Sequence, residues 1–340
     1  MNWIKKFFLQ NNNLHVLRRL FGFILLVAGL LSAAACYFVL FFTQTPASGA
    51  VPLSYNPEPA KTDFNITVFG DWMQAAGPLD AIAQKAQDNK SVFAVCLGDF
   101  VKHSKLPLMK LAADAFKEKF RIPVYATPGN HDVYNEEDAS AFGSVWGNVN
   151  NCFAYGDTLF IFLESARKYI TEKQIEFLKT VFKYERPKYR RCVIFSHVPP
   201  KTNPEFDTPK YRLSEKSAAD LQIIFDQNNV DLMVCGHVHH EMQLSFGKTK
   251  LLVIPPSGQG SRNKANPQFG CLQIHFAADG SIGHNFIYVK KSAQRNKANE
   301  FIYYRLNQYS AFFCIALFMI ISGVILISFR TKHPDLSSHC

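Results

Sequence analysis

Five short segments of the chain place potential metal ligands just after apolar runs. They are Gly70-Asp71, Gly98-Asp99, Gly129-Asn130-His131-Asp132, Ser196-His197 and Gly236-His237-Val238-His239. Carboxylate oxygens, an amide oxygen and imidazoles together suit borderline divalent ions such as Mn, Fe, Zn or Co. The glycines before these turns let the backbone leave a strand sharply and let a substrate come close. His237 and His239, two apart on an extended segment, can face the same side.

Such residues converge only if the elements before them share an edge. Strand-like runs at Ile66 to Phe69, Val92 to Leu97, Val124 to Thr127, Thr158 to Leu163, Cys192 to Ser196, Asp231 to Cys235, Lys250 to Ile254 and Cys271 to Phe276 alternate with helix-like ones. The helices are expected at Leu79 to Gln87, Leu108 to Phe120, Glu172 to Phe182 and Ser217 to Gln227, the last opened by a Ser217/Asp220 capping pattern. Alternation of this kind predicts an α/β fold around a central sheet. In an open α/β sheet the carboxyl ends of the strands form the binding crevice, and each candidate ligand stands at such an end. Tyr184 to Arg191 and Lys201 to Lys216, polar and Pro-punctuated, read as surface loops.

Taken in order, Gly-Asp, Gly-Asp, Gly-Asn-His-Asp, Ser-His and Gly-His-Val-His resemble the motif set of the calcineurin-like metallophosphoesterase superfamily over about residues 62 to 290. The resemblance implies a four-layer α/β-β/α sandwich holding two divalent metal ions about 4 Å apart, a spacing usual for phosphoester cleavage. It implies that Asp99 bridges the ions, that Asn130, His197 and His237 hold one, and that Asp71 and His239 hold the other. A metal-bound hydroxide would then attack phosphorus, with His131, braced by Asp132, supporting or protonating the leaving oxygen.

One position departs from the pattern. Most of the superfamily has Asp-x-His at the first motif, whereas here the run is Asp71-Trp72-Met73, and a thioether is a poor ligand for these ions. The purple acid phosphatases also lack that histidine, but they supply a tyrosine where this chain has Lys102. His103, Gln74 or water could fill the gap, and His103 reads more simply as a surface-loop residue. His240 reads as a neighbour or phosphate contact, Trp72 as a pocket wall or a core residue, and His275 and His284 as ordinary fold residues.

Outside the body, Leu20 to Phe42 and Ala311 to Phe329 contain no charged residue, and each is long enough to span a bilayer at roughly 17 to 25 residues. The expected organisation is a basic tail (1–19), a transmembrane helix (20–42), a Pro-rich linker (43–61) and the catalytic domain (62–290). A basic, aromatic juxtamembrane segment (291–310), a second transmembrane helix (311–329) and a short tail (330–340) follow. The formal charge of +10 does not mark a nucleic-acid binder. Setting aside the ten cations and three anions of residues 1–60 and 291–340 leaves 27 cations against 24 anions in the body. Lys5, Lys6, Arg18 and Arg19 precede the first span and no cation follows until Lys61, so the body is expected on the exported side. The five body cysteines, odd in number and set mostly in apolar runs, read as core residues.

Two functions are compatible with these features: a metal-dependent hydrolase of a phosphate ester or anhydride, and a membrane-tethered metal- or phosphate-binding module without catalysis. Retention of Asp99, Asn130, His131, Asp132 and both final histidines favours the hydrolase. Tethering at both ends makes lipid phosphates, lipid-linked pyrophosphates and nucleotide-activated lipids candidate substrates, and membrane lipids partners.

Overall fold

The structure, a computed structural model, describes residues 11–37, 62–73, 78–133, 139–258, 260–262, 268–290 and 309–328. The chain divides into two compact units: Met1–Thr45 with Tyr304–Cys340, and Pro46–Tyr303.

The larger unit is two sheets. The first has the order β11-β10-β1-β2-β3, with β1 (Phe64–Phe69), β2 (Ser91–Cys96) and β3 (Val124–Ala126) parallel. The hairpin of β10 (Phe269–Phe276) and β11 (Ile282–Val289) runs antiparallel beside β1. The second has the order β4-β5-β6-β7-β9-β8, in which β5 (Thr158–Phe162), β6 (Arg191–Phe195), β7 (Leu232–Cys235) and β9 (Thr249–Val253) are parallel. Its edges, β4 (Asn151–Tyr155) and β8 (Met242–Phe246), pair antiparallel.

Period-two alternation assigns each strand two apolar faces. Ile66 and Val68, Phe93 and Val95, Phe160 and Phe162, Val193 and Phe195, Leu232 and Val234 fill the space between the sheets. Ala94 and Cys96 turn the other way, onto Leu79 and Ile82 of the helix Pro78–Asp88 and Met109 and Phe116 of the helix Leu106–Lys119. Ile161, Ile194 and Met233 turn onto Leu178 of the helix Glu172–Tyr184 and Leu221 and Phe225 of the helix Glu215–Gln227. The layers are therefore helix, sheet, sheet, helix. Each fully buried aromatic contributes about 1.5–3 kcal/mol. Phe160, stacked on Phe195 at 5.9 Å and edge-on to Phe93 at 5.2 Å, is at the centre of the inter-sheet layer.

The expected strands and helices form within a few residues of their predicted bounds. Not anticipated were β4, β8, β11, the short helix Ser140–Trp146 and the 3-10 turns Arg186–Lys188 and Pro204–Phe206. The helix over 215–227 opens on Ser214, whose hydroxyl accepts from the Ser217 amide at 3.3 Å, so Ser217 is not its cap. Ser217 instead accepts from the Ile170 amide at 2.9 Å and ties the two helix-entry loops together. The genuine capping box is Thr171 with Gln174. Cys96, Cys192, Cys235 and Cys271 are buried free thiols and Cys152 is half-buried, in line with core packing.

In the smaller unit the helices Asn11–Tyr37 and Tyr309–Ser328 pack against each other. A Cβ on Gly323 would lie 2.6 Å from the Gly22 carbonyl, and one on Gly29 would lie 2.9 Å from the Ala316 carbonyl, so the two backbones approach closely and run antiparallel. Of the two expected spans, the first is long and apolar enough to cross a membrane over Val16–Ala35. In the second, the apolar stretch among the described residues, Cys314–Ser328, is shorter than the first, so one of the two expected spans reaches that length among the described residues. The linker 43–61 and the juxtamembrane segment 291–308 lie outside the described residues.

Candidate metal centre

All eight expected site residues follow parallel strands directly, and the turns that carry them are strained. Asp71, Asp99, His237 and His239 have φ of 51°, 51°, 69° and 58°, and Met73 has 49°. Non-glycine residues rarely adopt this left-handed conformation, and such strain gathers at functional sites. Gly129 makes room for it, since a Cβ there would collide with the Asp99 amide and carboxylate. Gly236 does the same for Asp71, whose Oδ2 would lie 2.8 Å from an added Cβ.

Two groups of side chains converge. Asp99, His197 and His237 form one and Asp71, Asp99 and His239 the other, with the ligand atoms of each within 4.8 Å of one another and Asp99 common to both. Asn130 joins the first group through Oδ1, 3.3 Å from Nε2 of His197. His197 Nε2 also lies 3.5 Å from Asp99 Oδ1 and 3.2 Å from His237 Nδ1.

The far nitrogens of the three imidazoles decide their tautomers. His197 Nδ1 points at the Leu97 carbonyl at 2.6 Å, His237 Nε2 at the Lys210 carbonyl at 2.9 Å, and His239 Nδ1 at the Gly260 carbonyl at 2.9 Å. A carbonyl only accepts, so each of these nitrogens carries the proton in the neutral ring. The opposite nitrogens then present lone pairs to one another and to carboxylates. Asp71 Oδ1, buried and without a well-formed hydrogen bond, lies 3.2 Å from His239 Nε2. Lone pairs and carboxylates facing inward, with backbone carbonyls orienting the rings from outside, are the donor arrangement of a cation site, and these residues fit two divalent ions.

The electrostatics agree. Burial would raise the Asp71 carboxyl, but His239, His197 and His237 outweigh it and hold it down to about 2. Burial and the neighbouring His197 push His237 down to about 3, keeping the ring neutral. Burial also pushes on His239, yet Asp71 prevails and holds it up, so the point between the two prefers positive charge.

Asp132 does not brace the His131 ring. Its carboxylate accepts three backbone amides: Asp99 at 2.6 Å, Gly129 at 2.8 Å and Val101 at 3.1 Å. It thereby locks the second and third ligand loops together, because the chain leaves both loops with inward-facing N–H groups that only a buried acceptor can satisfy. Burial, then the charge of Asp99, raises the Asp132 carboxyl well above the usual range. His131 Nδ1 faces the Lys102 carbonyl at 3.2 Å, leaving Nε2 4.0 Å from Asp99 Oδ2 at the mouth of the site.

Among the residues considered for the missing ligand, His103 is half-exposed after β2 and belongs to neither group, and Gln74 lies outside the described residues. Met73 is buried and its amide donates to the Asp99 carbonyl at 2.9 Å. Trp72 is a core residue, 5.3 Å from the Phe116 ring. His240 packs on Phe206 at 5.2 Å, while His275 bonds Asn65 and His284 lies on β11. Sequence reasoning missed Ser165, whose hydroxyl accepts the Val198 amide at 2.7 Å just past His197. It also missed Ser257, which accepts the Gly70 amide at 3.1 Å and so steadies the turn before Asp71. Neither stands in a ligand motif, so no sequence signal marks them.

Residues 64–241 match the sequence model of the calcineurin-like phosphoesterases, Metallophos. No curated protein matches the chain. Among solved structures, a dimetal phosphatase from Danio rerio superimposes with a TM-score of 0.52 at 13% identity, over 67% of this chain and 99% of that one. GAP50, the anchor in the inner membrane complex of Plasmodium, gives 0.52 at 14% identity, over 72% and 94%. A purple acid phosphatase from yellow lupin seeds gives 0.53 at 14%, over 66% of this chain and 51% of that one. At these identities the likeness is one of fold.

Proposed function

We propose, for a chain that belongs to the calcineurin-like phosphoesterase family, that the metal-dependent phosphoester hydrolysis of that family is carried out by Asp71, Asp99, Asn130, His197, His237 and His239 as metal ligands, with His131 as proton donor. The single observation that carries the reading is the inward convergence of imidazole lone pairs on Asp71 and Asp99, each ring oriented from behind by a carbonyl. When bound, two divalent ions would supply Lewis-acid polarisation of the phosphoryl oxygens and of the attacking water. The chain's own residues do the rest. Asp99 is held in place by its amide on Asp132 and by the His131 amide, which donates to Asp99 Oδ1 at 2.9 Å. His131, with Nδ1 donating to the Lys102 carbonyl, turns Nε2 toward the site, and in its imidazolium form it gives the Nε2 proton to the departing oxygen. The buried walls exclude bulk water on the strand side, since Asp71, His197 and Asp99 are almost wholly covered.

The substrate in this reading is a phosphate compound at a membrane, lipid-linked, reached by a body tethered on the exported side. Supporting it are the apolar helix over Val16–Ala35 and the cations Lys5, Lys6, Arg18 and Arg19, which lie before it or in its first turn and have no counterpart after it until Lys61. The loop from Pro199 to Ser214 supports it too, because its Lys210 carbonyl bonds His237 and brings the loop to the site. Lys201 and Arg212 are occupied elsewhere, on the Ser245 carbonyl and on Asp207 and Glu215. The test is turnover of a lipid phosphate in mixed micelles against its water-soluble head group, with Mn and with chelator. A kcat/KM advantage above about tenfold for the lipid form is expected, and equal rates would reject lipid linkage while leaving the phosphoesterase standing. A reporter fused at residue 200 should read out on the exported side, and a cytosolic signal would overturn the orientation.

A further inference from the structure

Three cations stand on the backbone segments that adjoin His237 and His239. Lys210 contributes the carbonyl that orients His237, and its ammonium lies over the Tyr211 ring at 5.3 Å. Arg262 donates its amide to the His239 carbonyl at 3.1 Å, and its guanidinium lies over the same ring at 5.4 Å. The Tyr211 ring stands 6.4 Å from that of His237. Lys168 completes the set: its charge reaches His237, and its left-handed backbone, at φ 63°, accepts the Ser214 amide at the end of the Lys210 loop.

None of the three has a carboxylate within ion-pair distance among the described residues. Their neighbours behave differently. Arg167 pairs with Glu164 at 3.6 Å and Arg212 with Asp207 and Glu215, so carboxylates are at hand on the same loops and serve other cations. Lys210 and Arg262 share the Tyr211 ring by cation–π contact, and no carboxylate offsets the repulsion between the two like charges. A phosphate seated among Asp71, Asp99 and the histidines would be neutralised by the ions, leaving these cations free for a second anionic group. Arg and Lys bind such groups by charge-assisted hydrogen bonds.

We propose that Lys210 and Arg262, both over the Tyr211 ring, together with Lys168 on the adjoining loop, form a subsite for a second phosphate, which makes a diphosphate diester rather than a lone phosphate ester the substrate class. The proposal rests on the phosphoesterase reading above. In the reaction a water oxygen joins the attacked phosphorus. The bond from that phosphorus to the bridging oxygen breaks, its electron pair leaving with the second phosphate, and the protons of water end on the products or in solvent. The cations lower the charge of the leaving phosphate as it departs. Diphosphates linked to a lipid and to a soluble nucleotide present the same chemistry, and the choice between them is an arm of the test.

The experiment has a binding readout and a turnover readout, both on the full chain in detergent. On Mn-loaded protein freed of excess metal, calorimetry should show methylenediphosphonate binding more tightly than methylphosphonate, and Arg262→Gln with Lys210→Gln should weaken the diphosphonate by about tenfold or more. With Mn, a nucleoside diphosphate sugar and a prenyl diphosphate sugar in micelles are compared with bis(p-nitrophenyl) phosphate. The double variant should lose at least about tenfold in kcat/KM on the diphosphates, chiefly through KM, and stay within about threefold on the aryl diester. Equal losses on all substrates, or unchanged diphosphonate binding, would overturn the subsite. Absence of turnover on every substrate with diphosphonate binding intact would instead count against the hydrolase reading alone.

Discussion

Nε2 of His197 and Nδ1 of His237 face each other at 3.2 Å, while the opposite nitrogen of each ring is turned to a carbonyl. Two neutral imidazoles in these tautomers have no proton to share, so the contact is repulsive until a cation enters. Metal binding should therefore stabilise the folded body as well as activate it. Chelation is expected to lower the melting temperature by several degrees, restored by excess Mn, since a ligand of the native state alone stabilises by RT ln(1 + [L]/Kd). His237→Ala and Asp99→Asn should abolish both the metal-dependent shift and turnover. An unchanged melting temperature with and without metal would show that no ion occupies this group.

His131 and Asp132, adjacent in sequence, should separate cleanly in experiment. His131→Ala leaves both ligand groups intact and is expected to retain metal while slowing turnover by roughly two to four orders of magnitude. Asp132→Ala removes the acceptor of three buried amides and should destabilise the body by several kcal/mol, at about 1–3 kcal/mol for each amide left unsatisfied. Thermal denaturation and metal titration of both variants decide it. If Asp132→Ala melts like the parent, the carboxylate is not the strut between the loops.

The reasons for this division bear on what a sequence discloses. The residues proposed as ligands, such as Asp71 and His239, were legible because each follows an apolar strand and carries a residue type with few structural uses in that place. The central strands were legible because both faces are buried and the apolar runs are continuous. By contrast β11 is nowhere fully buried, with Gly283, Asn285 and Tyr288 exposed, and β8 is a half-exposed edge, so neither stands out from loop composition. The Asp132 strut was invisible because its partners are backbone amides, which every residue has. The approach of Lys210 and Arg262 to Tyr211 was not visible: Lys210 stood in a polar loop that read as surface, and nothing in the sequence brings Arg262 to Tyr211.

Met73 occupies the position of the usual first-motif histidine, buried and in the left-handed region at φ 49°. Histidine tolerates that backbone better than most residues, so Met73→His should fold without added strain. Its amide donates to the Asp99 backbone carbonyl at 2.9 Å, so position 73 adjoins the Asp99 turn. The weaker of two metal affinities is expected to tighten by at least about tenfold in a competition titration. An unaltered affinity would mean that another group already fills the position.

The close approach of the two terminal helices gives the last prediction. Gly22 and Gly29 on Asn11–Tyr37 meet Gly323 and Ala316 on Tyr309–Ser328, and at Gly323 an added Cβ would lie 2.6 Å from the Gly22 carbonyl and 2.8 Å from the Leu26 amide. These obstacles are backbone atoms, which cannot swing aside as a flexible side chain would. In an apolar surrounding, helix association depends on such close packing, because lipid tails match leucine in polarity and offer no hydrophobic drive. Gly323→Leu should therefore separate the pair while leaving each helix formed. Cleavage at a protease site engineered into residues 43–61, followed by purification of the body in mild detergent through a C-terminal tag, reads the outcome. The N-terminal fragment should stay with the body in the parent chain and be lost in Gly323→Leu, whereas Val324→Leu, at an exposed position, should retain it. Retention in all three would show that the helices associate through another face, and loss already in the parent would show that they do not hold together in detergent.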